Sequence, residues 1–198
     1  MAGKEPNCPP VTPLGVVATQ PGVVIDQIRP GDTLLYSGTG VVDWVIRTKT
    51  WSKFSHCEFY DGSGYSLASR NGIGVAKYPV RTNGLLAVYR LRAGIPFDLN
   101  SARAWFATVN GQGYDWLGLL SFTAARLQGR DNTKQFCSEF QARLYRHGIG
   151  GAVHHPAAKK GDKDALQALG IDPWGGENAD AIAPAMFARS PCFIEVRA

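Results

Sequence analysis

Ser55-His-Cys-Glu-Phe-Tyr-Asp-Gly-Ser-Gly64 is the stretch that decides the fold. Residues 55–60 alternate in character, as a strand with two different faces does. Ser55, Cys57 and Phe59 point one way, and His56, Glu58 and Tyr60 the other. Asp61-Gly-Ser-Gly64 then reads as a hairpin turn, with Tyr65 to Ser69 as the return strand. Cys57 therefore belongs to a core. The face carrying His56 is polar and aromatic, which suits the floor of a cleft.

The chain upstream adds a turn at Pro30-Gly31 and a strand at Leu34-Leu35-Tyr36. Val41, Trp44, Val45 and Thr48 recur at helical spacing, which predicts a short amphipathic helix over 41–49. Asn71-Gly72 marks another turn and Leu85 to Leu91 another strand. The pattern then changes period. Asn100 or Ser101 can cap a helix whose face holds Ala102, Trp105, Phe106 and Val109. Tyr114 to Leu127 carries a second helical pattern. A third runs from about Gln135 to His147, with caps offered by Asp131 to Thr133 and a stop at Gly148 and Gly150-Gly151. A short helix near Asp164 to Leu169 and a last strand from Cys192 to Val196 complete the chain. Strands first and helices after predict an α+β fold. Residues 1–22, rich in Pro and Gly, read as an N-terminal arm, and 23–198 as a single domain.

A length of 198 residues, 44% apolar and 19% charged, fits one globular domain with a full core. The net charge of +5 comes from scattered residues, and the small cluster Lys159-Lys160-Lys163 is interrupted by Asp162 and Asp164. No aromatic residues alternate with it, so no nucleic-acid partner is expected. Cys8, Cys57, Cys137 and Cys192 form no C-x-x-C pair, so neither a metal nor another cofactor is expected. The polar N-terminus lacks an apolar core of the signal-peptide kind. That predicts a cytoplasmic protein with free thiols; association with a virion, or export without a signal, also fits. No run of 18 apolar residues predicts a transmembrane segment.

Cys137 falls in the first turn of the third helix, where free N–H groups and the helix dipole favour a thiolate. His56 lies ahead of it on a strand. A strand histidine followed by a helix-start cysteine is what a Cys–His hydrolase of permuted chain order shows. His147 reads as a helix-end residue that caps carbonyls, and His154-His155 precede Pro156 in a loop.

Six segments resemble, in order, the permuted NlpC-type papain-like enzymes, which include the YiiX-like group and relatives of lecithin retinol acyltransferase. They are Arg29-Pro-Gly-Asp-Thr-Leu-Leu35, Trp51 to His56 with Glu58 to Gly64, Gly72 to Val75, Leu86 to Arg90, Gly113-Tyr-Asp-Trp116 and Phe136-Cys-Ser-Glu-Phe140. The tail Pro184 to Ser190 is similar as well, so the likeness spans roughly residues 28–196. It implies a circularly permuted papain-like fold, with an antiparallel sheet of five or six strands packed against the cysteine helix. It implies a Cys137–His56 dyad acting on peptide or isopeptide bonds, peptidoglycan stem peptides or lipid acyl groups.

One position departs from that family. A polar residue about twelve places after the histidine normally orients the imidazole, and here that place holds Ala68. Glu58, Ser66, Ser69 and Asn71 are the substitutes, with Asn71 and Glu58 ranked equally. Gln135 reads as an exposed residue at a helix start, and Asp115 as a complement to a helix dipole. The expected function is a cysteine peptidase or amidase. A lipid acyltransferase or thioesterase of the same fold is one alternative, and a non-catalytic binding or virion module is the other.

Overall fold

The computed structural model describes residues 27–115 and 134–197. The expected arm, most of the Tyr114–Leu127 helix and the caps at 131–133 lie outside them. Six strands form one antiparallel sheet: β1 (Thr33–Tyr36), β2 (His56–Gly62), β3 (Tyr65–Arg70), β4 (Gly74–Pro79), β5 (Leu85–Leu91) and β8 (Phe193–Glu195). Their order across the sheet is β4-β3-β2-β1-β5-β8. Every neighbouring pair is antiparallel. Two further strands, β6 (Gly113–Tyr114) and β7 (Lys134–Gln135), pair in parallel. Tyr114 therefore stands in a strand rather than at a helix start.

The helices are α1 (Val41–Thr50), α2 (Leu99–Val109), α3 (Cys137–Gly151), α4 (Lys163–Ala168) and α5 (Pro184–Arg189). An α+β protein with an antiparallel sheet and helices results. The alternation read in the sequence sorts β1 and β2 between two cores. Leu35, Cys57, Phe59, Leu67 and Ala87 join Phe140, Leu144 and Tyr145 of α3 on one face. Leu34, Tyr36, Leu85 and Val88 form the smaller cluster on the other. Tyr145 is the hub of the larger core, with its ring against Phe59, Phe187 and Phe193. Its hydroxyl donates to the Gly31 carbonyl at 2.6 Å and lies 2.8 Å from Thr33 Oγ1.

Helix α3 is buried on almost every side, so it is a core helix rather than a surface amphipath. Its glycines do not stop it, because they serve close packing. A Cβ on Gly148 would stand 2.2 Å from the Phe97 ring, and one on Gly150 1.6 Å from the Ala158 carbonyl oxygen. His147 is consequently inside the helix, stacked on Trp105 with ring centroids 5.0 Å apart, and not at its end. Burial pushes its pKa down to about 4.

Two other expectations are corrected. The cap of α2 is Asp98, whose carboxylate accepts from the Asn100 and Ser101 amides. In α1, Ile46 and Thr50 are buried, while Val41 is 80% exposed and Trp44 60% exposed. The helix thus turns outward part of the stripe that its spacing assigned to the core.

Candidate active site

His56 opens β2, and Cys137 is the first residue of α3. Both lie where the helix start meets one end of the sheet. Cys57, on the inner face of β2, packs in the same core cluster as Cys137. Cys57 and the His56 imidazole both influence the Cys137 thiol electrostatically.

The electrostatics of the pair run in opposite directions. Burial alone pulls the His56 pKa down, but the charge and hydrogen bond of Cys137, then those of Glu58, raise it to about 9. Cys137 is held well below the ordinary thiol range. Its largest influence is the Cys57 hydrogen bond; burial opposes that, and His56 reinforces it. The dipole of the helix start acts in the same sense. Cys57 itself is pushed up, chiefly by burial, and so stays a thiol donor. The two shifts act in the directions of an imidazolium and a thiolate.

Glu58, not Asn71, meets the imidazole. Its Oε1 lies 3.1 Å from His56 Nε2. Adjacent same-face positions of a strand are about 6.6 Å apart, but the glutamate side chain reaches back across that gap. The carboxylate is wholly buried and accepts four more bonds. They come from Ser66 Oγ at 2.5 Å, Arg70 Nε at 2.9 Å, Arg70 Nη2 at 3.0 Å and Arg81 Nη2 at 3.1 Å. Burial pushes the Glu58 pKa up, yet the imidazole and the Arg70 guanidinium outweigh it and hold the carboxyl well below its usual range. Glu58 thus engages Nε2 of the ring and not Nδ1.

Asn71 is exposed in the turn after β3. It lines a cavity of about 460 Å³ together with His56, Arg70, Arg81, Tyr36 and Tyr114. The His56 side chain is 14% exposed there. Cys137 is only 2% exposed and is not part of the lining. Tyr114 lines the cavity and also feels the charge of Cys137, so it stands next to both.

The other residues weighed in the sequence serve structure. Ser69 donates to the Gln135 carbonyl at 2.5 Å, and Ala68 pairs with Ala76 across β3 and β4. Gln135 is buried in β7 and donates from Nε2 to Gln112 at 3.0 Å, contrary to the exposed helix start expected. Asp115 is buried, and its amide donates to the Gln135 carbonyl. Arg70 and Arg81 were not singled out in the sequence. The available signal was Glu58 itself, because a carboxylate in the middle of a strand needs cationic partners once buried.

No family model matches the chain, and no curated protein matches it. Among solved structures, the metalloprotein YiiX from Escherichia coli O157:H7 shares the fold. It superposes with a TM-score of 0.57 at 17% identity, over 86% of this chain and 97% of that one. At such identity the likeness concerns the fold alone. Among the described residues here, no three His, Cys, Asp or Glu side chains group so as to hold a metal ion, and no step below is routed through one. No described helix is long and apolar enough to cross a membrane.

Proposed function

We propose that the chain is a cysteine-dependent hydrolase of amide bonds on a permuted papain-like scaffold, with Cys137 as nucleophile and His56 as its base and acid. The observation that carries this reading is the Glu58 carboxylate 3.1 Å behind the His56 imidazole, and the opposite directions in which His56 and Cys137 are shifted support it. Peptides, isopeptides and the stem peptides of peptidoglycan are the substrates that such a site suits.

In this mechanism the thiolate attacks the carbonyl carbon, and the developing oxyanion takes the backbone N–H of Cys137. His56, charged, gives its proton to the departing amine, which leaves a thioester on sulfur. Neutral His56 then removes a proton from water, and hydroxide attack releases the acid and restores the ion pair. Glu58 keeps the ring in place and stabilises its charged form throughout.

Alkylation by iodoacetamide, followed by intact mass from pH 5.5 to 9, tests the reading. An ordinary thiol slows about tenfold per pH unit below its pKa. Cys137 is expected to keep its rate down to pH 6, and His56→Ala to restore the ordinary slope. A Cys137 rate that tracks a free thiol, with peptide hydrolysis unchanged in Cys137→Ser, would sink it.

A second reading, acyl transfer from a lipid, has one observation in its favour. Val41, Trp44, Trp51 and Ile73 are 80%, 60%, 90% and 71% exposed. Val42, Ile46 and Ile73 also line the cavity, so the apolar surface adjoins it. Cosedimentation with phosphatidylcholine vesicles that is lost in a Trp44→Ser, Trp51→Ser double variant would favour that reading. Absence of binding would remove it. The third reading, a non-catalytic module, loses one support and keeps another: Glu58 offers the acceptor that Ala68 lacks, whereas the burial of Cys137 outside the cavity lining favours it.

A further inference from the structure

Two guanidinium groups border the cavity, and they are used differently. Arg70 is committed. Its Nε and Nη2 both bind Glu58, and Nη2 also donates to the Pro79 carbonyl at 3.1 Å. Its guanidinium stacks 4.2 Å from the Tyr78 ring, and the side chain is 16% exposed. Arg81 gives Glu58 a single bond, from Nη2 at 3.1 Å, and its side chain is 46% exposed. A guanidinium carries five N–H groups in a fixed fork, so most of those on Arg81 are left for the cavity it lines.

Arg81 is also held in place before any ligand arrives. Its guanidinium lies 4.9 Å from the Tyr36 ring, and the Tyr36 hydroxyl donates to the Arg81 carbonyl at 3.1 Å. A donor fork anchored at one corner loses little freedom when it binds. The local charge is unequal. One carboxylate, Glu58, faces Arg70, Arg81 and His56, and the charge of His56 is answered by Cys137. Within this group of five, one positive charge is left over, on the more exposed arginine. Asp43 is the one carboxylate among the described lining residues, and it offsets that surplus over the cavity as a whole. Its oxygens are engaged at the start of α1, by Ser55 Oγ at 2.5 Å and the Gly40 amide at 3.1 Å. Asn71 and Asn83 bring side-chain amides to the same cavity.

We infer that Arg81 is a specificity residue, and that the cavity takes a substrate bearing a carboxylate beside the bond to be cleaved, bound by the free N–H groups of that guanidinium. The cleavage itself rests on the Cys137–His56 reading, whereas carboxylate binding does not.

Two alkylating reagents that differ in one group separate the two claims. Iodoacetate carries a carboxylate and iodoacetamide does not. The rate ratio of the first to the second is measured at Cys137 by peptide mass mapping and divided by the same ratio for 2-mercaptoethanol. A charge-assisted contact predicts a normalised ratio of roughly ten in the native protein. It is expected near one in Arg81→Gln and partly restored in Arg81→Lys, which keeps charge without the fork. A native ratio near one, or one that Arg81→Gln leaves intact, overturns the inference while a reactive Cys137 keeps the hydrolase reading alive. Should Cys137 react with neither reagent, the hydrolase reading falls, and carboxylate binding is then read in Cys137→Ser titrated with succinate. A saturating shift of the Arg81 Nε–H resonance supports the site, and its absence overturns it.

Discussion

Glu58 and Asp172 are both buried carboxylates gripped by an arginine through two bonds, yet their surroundings diverge. Asp172 takes Arg146 Nε at 2.8 Å and Nη2 at 3.1 Å, with the two side chains 0% and 3% exposed. It also accepts from the Gly176 amide at 2.7 Å, and Arg146 reaches the Glu177 carbonyl at 2.6 Å. The Arg146 contacts tie α3 to the segment 172–177, the Gly176 amide braces that segment from within, and one charge meets one charge. Glu58 has the same clamp from Arg70 and then two more cationic partners, His56 and Arg81, both of which line a cavity. An ion pair that closes on itself holds a chain together. One that sets cationic groups at a cavity wall is a candidate site for chemistry.

The largest expected effect falls on the closed pair. Arg146→Met leaves Asp172 buried without its cation and should lower unfolding free energy in urea by about 3–5 kcal/mol. At 25 °C the pH profile of Cys137 alkylation should keep its native shape. If that profile moves as far as in a Glu58 variant, the two clamps are not distinct in function.

Glu58→Gln comes next. It leaves Arg70 short of a partner, which should cost about 1–3 kcal/mol. The sharper readout is the titration of His56 by NMR. Its pKa should fall from about 9, because the amide gives the imidazolium no countercharge. The flat region of Cys137 reactivity should retreat to higher pH with it. A His56 titration unmoved by Glu58→Gln would make the glutamate a strand support only.

The contrast between the two carboxylates also marks what the sequence could disclose. The alternation at 55–60 placed His56 and Glu58 on one face and Cys57 in the core, since a pleated strand allows no other arrangement. The helix start at Cys137 was visible within two residues. Neither arginine was visible as a partner of Glu58, because no spacing rule links a carboxylate on one strand to cations on a neighbouring strand and the loop beyond it. The same limit hid the Arg146–Asp172 pair. In α1, Val42, Ile46 and Thr50 compete with Val41, Trp44 and Val45 for the role of inner stripe. Only the packing of Ile46 against Tyr114 and Phe136 decides between them. The glycines of α3 misled for a related reason, since Gly148 and Gly150 answer to Phe97 and Ala158, far away in sequence or across a turn.

Linkage to pH extends the comparison at smaller magnitude. His56 rises from 6.5 to about 9 on folding. Its share of stability is therefore complete below pH 6.5 and is lost as pH climbs through 9. The depressed Cys137 behaves oppositely. Its share is complete above the unfolded thiol pKa of 9.0 and is lost as pH falls through its lowered value. Between 6.5 and 9 the folded pair holds one proton on imidazole, and the unfolded pair holds one on sulfur. The proton count is equal, so stability should change by less than about 1 kcal/mol across pH 7 to 8.5. In Cys137→Ser that balance is gone, and the His56 pKa should drop because its largest raising influence has been removed. A steep pH dependence of native stability in that window, measured by urea unfolding, would contradict the ion pair.

The smallest effect tests the inner face of β2 against its outer one. Cys57 gives the leading influence that lowers Cys137, through a thiol that burial keeps protonated. Sulfur is a weak donor, so the effect of removing it should be modest. Cys57→Ala should slow alkylation of Cys137 at pH 6 by about threefold, as a shift of roughly half a pKa unit does. Stability should fall by about 1 kcal/mol for the small void. Cys57→Ser leaves a hydroxyl donor at nearly the same volume and should recover most of the rate. If alanine and serine slow the reaction equally, the inner face acts on Cys137 through packing alone. The tuning of the thiolate would then belong entirely to His56 and Glu58 on the outer face and to the start of α3.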